Sequence, residues 1–223
     1  MIAIVGSNGL IGNYLKQTVD YTHEFNSDNV NDIGKYNFDT VYITAPTGNR
    51  LLANANPEMD FQNTRRLYDA VSRTKTERLI LIGTVDSVLR PHLPYGRNRL
   101  LLEENITRFF DPYILRLSSL IHPTITKNVL YDLKHKQYLD SINLNSQIQW
   151  YDLDNLAKDI HFSIISNQRE RNLVSEPISN REIVEQFFPD LDLSAEETVN
   201  QNIVPYCYTK EQIFQSMKKY LDE

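Results

Sequence analysis

Short runs of consecutive apolar residues alternate along the chain with segments whose apolar residues stand three and four apart. Ile2-Ala3-Ile4-Val5, cut off by Gly6, predicts a buried parallel strand. Leu10, Ile11, Tyr14, Leu15 and Val19 then predict a helix, with Asn13, Lys16 and Gln17 turned to water. The unit repeats. Val41-Tyr42-Ile43-Thr44 reads as a buried strand closed by the loop Ala45-Pro46-Thr47-Gly48-Asn49. Asn56 as cap and Pro57 at the first helical position open a helix over 57–74, with Phe61, Leu67, Ala70 and Val71 on one side. Arg78 to Thr84 is the strongest strand pattern, followed by a Pro-bearing loop, a helix from Tyr95 to Asn105 and the strand Tyr113 to Leu117.

Beyond residue 120 the pattern predicts helices at 127–140, 154–165, 179–188 and 209–221, with a strand at 148–151. Ser179 with Glu182 three residues on is a capping box. Strands separated by helices predict an α/β fold: a Rossmann-like, doubly wound parallel sheet whose ligand crevice lies beyond the carboxyl ends of the strands. The boundaries read as a nucleotide-binding domain at 1–119, rejoined by about 146–176, with 120–145 and 177–223 as a small C-terminal substrate lobe.

Composition narrows the function classes. The 223 residues are 41% hydrophobic and 23% charged, which excludes disordered and fibrous classes. A net charge of −6 repels polyanions and makes duplex nucleic acid a poor partner. The start MIAIVGSNGLIG lacks a basic leader region, and no stretch of about 18 apolar residues occurs, so the expectation is a cytoplasmic protein without a membrane span. Cys207 is the sole cysteine and the five histidines are scattered, so no disulfide and no metal site is expected.

Two constellations carry chemistry. Gly6-Ser7-Asn8-Gly9-Leu10-Ile11-Gly12 stands between a strand and a helix, where glycines permit a tight turn and close backbone approach, and the helix N-terminus offers N–H donors to a pyrophosphate. The adenosine ribose is expected to be read roughly 20 residues past the glycines. If the second strand ends at Phe25, Asn26 and Ser27 face the 2′ position; neither repels a phosphate, which slightly favours NADP over NAD. The second constellation is Thr84 at a strand end, then Tyr95 and Arg99 four apart on one helix face. A fixed cation beside a phenol favours the phenolate and lowers its pKa, while Thr84 can hold a substrate carbonyl.

These residues resemble the extended short-chain dehydrogenase/reductase superfamily, in its NAD(P)-dependent epimerase/dehydratase group acting on nucleotide-sugars. The likeness rests on GSNGLIG, FDTVYITAP, FQNTRRLYDAV, LILIGTVDSV, YGRNRLLLEE and YILRLSSLIHP, and extends to WYDLDNLAKDI and NLVSEPISNREIVEQFF. It implies an oxidoreductase or epimerase in which Thr84 and Tyr95 match the catalytic pair and Arg99 stands where the family has lysine. It also implies cofactor contacts at Gly6, Asn8, Gly9, Leu10, Ile11, Gly12, Ala45, Pro46, Thr84, Tyr95, Arg99 and Leu117, diphosphate contacts at Asn128 and Lys127, and homodimerisation. Arginine for lysine is not a conservative exchange at a close-packed site, which keeps a second reading open: a non-catalytic NAD(P)-binding sensor or assembly subunit. Arg50, after the strand loop, reads most plainly as an exposed side chain.

Overall fold

The structure is a computed structural model that describes residues 1–193 and 203–222. Strand β1 (Ile2–Val5) leads into α1 (Leu10–Thr18), β2 (His23–Phe25) and β3 (Asn37–Ile43). Then come α2 (Arg50–Ala55), α3 (Pro57–Val71), β4 (Lys75–Thr84), α4 (Asp86–Leu89), α5 (Pro94–Thr107) and β5 (Tyr113–Leu117). The later elements are β6 (Ser119–Ile121), α6 (Val129–His135), β7 (Gln147–Ile148), β8 (Trp150–Asp152), α7 (Leu156–Ile165), β9 (Glu170–Leu173), β10 (Ile178–Ser179), α8 (Asn180–Phe187) and α9 (Lys210–Asp222).

Six parallel strands form the main sheet in the order β2-β1-β3-β4-β5-β9. The α/β Rossmann-like fold expected from the sequence is therefore present. Val5 of β1 pairs with Phe25 of β2 on one side and with Ile43 of β3 on the other. That register brings Gly6, Asn26 and Thr44 out at one end of the sheet, at the point where the strand order reverses and such sheets bind ligands. Both sheet faces are apolar near β1, β3 and β4. Ala3, Val5, Val41, Ile43, Leu79 and Leu81 pack in one cluster with Leu67, Ala70 and Val71 of α3 and with Leu102 and Ile106 of α5.

By compactness the chain divides into Met1–Arg116 with Ala157–Arg171, and Leu117–Leu156 with Asn172–Glu223. Residues 146–156 fall in the second of these units. Part of the expected lobe, 194–202 and 223, lies outside the described residues. The second unit has its own core, built on Trp150, Leu130, Leu133, Ile183, Ile213 and Met217. Its capping box is formed: Ser179 accepts from the Glu182 backbone and Glu182 returns to the Ser179 N–H. Burial pushes the Glu182 carboxyl up, but hydrogen bonds from Lys210 and Ser179 outweigh it and hold the group below the ordinary range.

Several elements differ from the sequence expectation, each for a local reason. Helix α6 ends at His135 rather than near 140 because Lys136 takes a left-handed conformation, φ 53°. On α3 the buried polar positions are Asp60 and Thr64, while Phe61 is only half-buried. Strand β9 is an edge strand reading Glu-Arg-Asn-Leu, without the apolar run that marks interior strands. Short helix α2 follows the 45–49 loop in a stretch given no element, and α4 runs into the start of the Pro-bearing loop.

Candidate active site

The glycine turn follows β1 directly. Gly6 has φ 88°, and a Cβ there would stand 2.7 Å from Thr44 Oγ1. At Gly12 a Cβ would fall 2.3 Å from the Gly6 carbonyl oxygen, so the packing of helix against turn itself demands these two glycines. Gly9 is different. Only the Gly6 carbonyl, at 3.4 Å, comes near a Cβ at that position, and the residue is exposed. Helix α1 has no side-chain cap and no acidic residue in its first turn, so its opening N–H groups are not spent on protein carboxylates. Among the described residues, the buried Ser7 hydroxyl has no hydrogen-bond partner. Open space over Gly9 and uncapped donors are what a pyrophosphate needs, and the turn fits one.

Tyr95 is placed by three neighbours. Its backbone N–H donates to Asn54 Oδ1 of α2 at 2.9 Å, the Thr84 side chain at the end of β4 lines the same cleft and favours its phenolate, and Arg99 lies over its ring at 4.4 Å. Gly96 lets α5 approach α4, since a Cβ there would meet the Arg90 carbonyl at 2.2 Å. The phenol is 7% exposed. Burial pushes its pKa up; Arg99 and Thr84 pull it down, while Asp86 and Asp60 push it further up. The net direction is upward, a correction to the expectation that Arg99 would lower it. Desolvation of the phenolate wins because the nearby cation does not act alone.

Arg99 is bound on three sides. Its Nη1 donates to Asp60 Oδ2 at 3.0 Å and its Nη2 to Asp60 Oδ1 at 2.9 Å, a fork-on-fork pair, while Nη2 also donates to the Thr47 carbonyl at 2.7 Å. Both side chains are about 5% exposed, and Asn98 donates to the same Asp60 carboxylate at 2.8 Å. One helical turn further, Glu103 accepts from Arg116 Nη2 at 2.6 Å and Nε at 3.0 Å, with the Ser87 hydroxyl 2.8 Å from its Oε1.

Ile11, Ala45, Pro46, Thr84, Tyr95, Arg99 and Glu103 line one small cleft, a cavity of about 90 Å³. The structure thus brings the predicted Thr84, Tyr95 and Arg99 together with part of the glycine turn and its facing loop. Asn8 and Leu10 lie in or directly after that turn. Asn26 and Ser27 do follow the end of β2; Asn26 Oδ1 accepts from the Asp28 N–H at 2.7 Å, closing a tight turn that also displays the exposed Asp28 carboxylate. Leu117 is buried at the end of β5 and, with Lys127 and Asn128, falls in the second unit. Asn128 caps α6, accepting from Tyr131 N–H and donating to the Leu120 carbonyl, whereas Lys127 is exposed. Arg50 is half-exposed and pairs with Asp86 at 3.4 Å; Arg90, four residues after Asp86, pairs with the same carboxylate.

Sequence reasoning missed Asp60, Asn54, the Thr47 carbonyl and Glu103. Asp60 had a signal, since it stands four and seven residues before Thr64 and Leu67, on the face that meets α5. Glu103 stands four after Arg99 and eight after Tyr95, one stripe of the same helix. Among the described residues no group of three or more His, Cys, Asp or Glu is arranged to hold a metal ion, and no helix is long and apolar enough to cross a membrane.

No family model and no curated protein matches the sequence. Solved structures do match. The UDP-glucose 4-epimerase of Thermotoga maritima, solved with UDP-glucose, superposes with a TM-score of 0.73 at 11% identity, covering 99% of this chain and 97% of that one. A UDP-glucuronic acid 4-epimerase of Bacillus cereus, in complex with UDP-glucuronic acid and NAD, gives 0.67 at 15% identity over 98% and 93%. The dTDP-4-dehydrorhamnose reductase of Yersinia enterocolitica gives 0.67 at 14% identity over 99% and 98%. The chain has the Rossmann-like fold that these epimerases and reductases share.

Proposed function

We propose that the protein is a nicotinamide-dinucleotide-dependent oxidoreductase or epimerase that acts on a nucleotide-sugar or a related carbonyl compound. The observation that carries this reading is the Thr84–Tyr95 hydroxyl pair, set in the same cleft as the glycine-turn helix and the Ala45–Pro46 loop. The fold is that of epimerases solved with UDP-sugars and NAD, which supports the substrate and cofactor class. Asp28, exposed in the turn that follows β2, moves the preference from the NADP read at Asn26 and Ser27 to NAD, because a carboxylate repels a 2′-phosphate.

When bound, the nicotinamide supplies or removes hydride at the substrate carbon. The protein's own part is to hold and move a proton. A phenol kept protonated by burial is a donor at neutral pH, so Tyr95 Oη gives its proton to the oxygen of a carbonyl under reduction, and Thr84 orients that oxygen. Arg99 stabilises the ring geometry from beneath.

Thermal unfolding with NAD⁺, NADH, NADP⁺ and NADPH tests the reading, because a ligand that binds only the native state raises its melting temperature. The expected result is a rise with the NAD pair at millimolar concentration and a smaller rise or none with the NADP pair. Gly9→Ala is expected to keep the wild-type melting temperature to within about 1 kcal/mol of stability and to lose that rise, while Gly12→Ala costs about 1–3 kcal/mol or more without any ligand. Nicotinamide absorbance with UDP-glucose and UDP-glucuronic acid then reports turnover. The buried pairing of Arg99 with Asp60 favours one other reading, a dinucleotide-binding protein without turnover, for which all four cofactors are screened and no absorbance change follows.

A further inference from the structure

Arg99 and Asp60 are both nearly fully buried, come from different helices, and meet by two parallel hydrogen bonds of 2.9 and 3.0 Å. The guanidinium carbon stands over the Tyr95 ring, 4.4 Å from its centroid, and Nη2 donates to the Thr47 carbonyl at 2.7 Å. Thr64 Oγ1, one turn after Asp60, stands 3.4 Å from the same Nη1. A cation whose nitrogen donors converge on one carboxylate and one carbonyl is not spare for a ligand, and its charge is balanced where it sits. A lysine could not make this arrangement, because an ammonium cannot offer a planar fork or stack on a ring.

We propose that Asp60 is a positioning residue of this site: it fixes Arg99 as a neutralised brace between the Tyr95 ring and the Thr47 loop, so that Tyr95 meets a substrate carbonyl as a protonated donor. The proposal rests on the functional reading above. The charged and polar groups facing Tyr95 are Arg99 on its own helix, Asp60 on α3, Asp86 on α4 with Arg50 and Arg90 bound to it, and Thr84 on β4. Glu103, further along α5, is held by Arg116. Of these, Asp60 is the group that offsets Arg99 directly.

The test is the titration of Tyr95 in the full chain, followed by NMR of ring-labelled tyrosine, with the signal assigned by its loss in Tyr95→Phe. In Asp60→Asn the released Arg99 charge is expected to move the titration down by about one pH unit or more. In Arg99→Gln the unpaired carboxylate moves it up, and in the double variant it returns near wild type because the net charge does. Amide exchange of the 44–49 loop is expected to accelerate at least tenfold in Asp60→Asn and in Arg99→Lys. Identical Tyr95 titration in wild type and Asp60→Asn overturns the proposal. If Asp60→Asn does not fold, unchanged loop exchange in Arg99→Lys, or a double variant whose Tyr95 titrates away from wild type, overturns it instead. Neither readout uses a dinucleotide or a substrate. Absence of cofactor binding therefore sinks the functional reading alone, and an unchanged titration sinks this one alone.

Discussion

Tyr95→Phe is expected to reduce turnover by about 10²–10⁴-fold while the protein still folds and still gains melting temperature with the dinucleotide. The size follows from the role: loss of a positioned proton donor removes a contact made in the transition state, about 1.4 kcal/mol for each tenfold. Ring packing is kept, and with it the stack of Arg99 on the aromatic face. The pH profile carries the sign. Burial, opposed by Arg99 and Thr84, holds the phenol above its ordinary value of about 10, so carbonyl reduction is expected to be flat through neutral pH and to fall only at alkaline pH as the phenolate forms. A rate that climbs between pH 6 and 9 in the reductive direction, on the order of tenfold per unit, would point to a different proton donor.

The parts of the site that were legible in the sequence are those whose chemistry is local. A turn that needs Gly6 and Gly12 shows them at fixed spacing after an apolar run, and Tyr95 and Arg99 share a face because four residues make about one helical turn. Thr84 was found by its place at the end of the strongest strand. The partner of Arg99 was not, because Asp60 lies 39 residues away and its burial depends on how α3 packs against α5. A lone carboxylate on a polar helix reads as solvated until that packing is known. The same gap explains the wrong direction for the Tyr95 pKa. Spacing shows the nearest charge on the same helix, whereas desolvation and the carboxylates of other helices are tertiary quantities. Edge strands such as β9 escaped for a related reason: with a neighbour on only one side, Glu170 and Arg171 need not be apolar.

Glu103→Ala is expected to cost about 3–5 kcal/mol of stability, because it strands a cation in the interior. Arg116 is 10% exposed and makes three of its hydrogen bonds to the Glu103 carboxylate, with Glu170 as a second and largely exposed partner. Glu170 at 2.9 Å softens the loss but is screened by water, and an exposed ion pair is worth about 0–1 kcal/mol. The Ser87 hydroxyl, which reaches both Glu103 and the Thr84 carbonyl, keeps only the second contact. Replacing both charges, as in Glu103→Leu with Arg116→Met, is expected to recover most of the deficit, since the desolvation of two ions is then no longer required. Chemical denaturation of the four corners of this cycle measures the coupling, and additive single effects would show that the pair does not act as one unit. The functional consequence runs through geometry rather than charge. Glu103 lines the cleft together with Tyr95 and Thr84, so in the double variant the fold should return before the activity does.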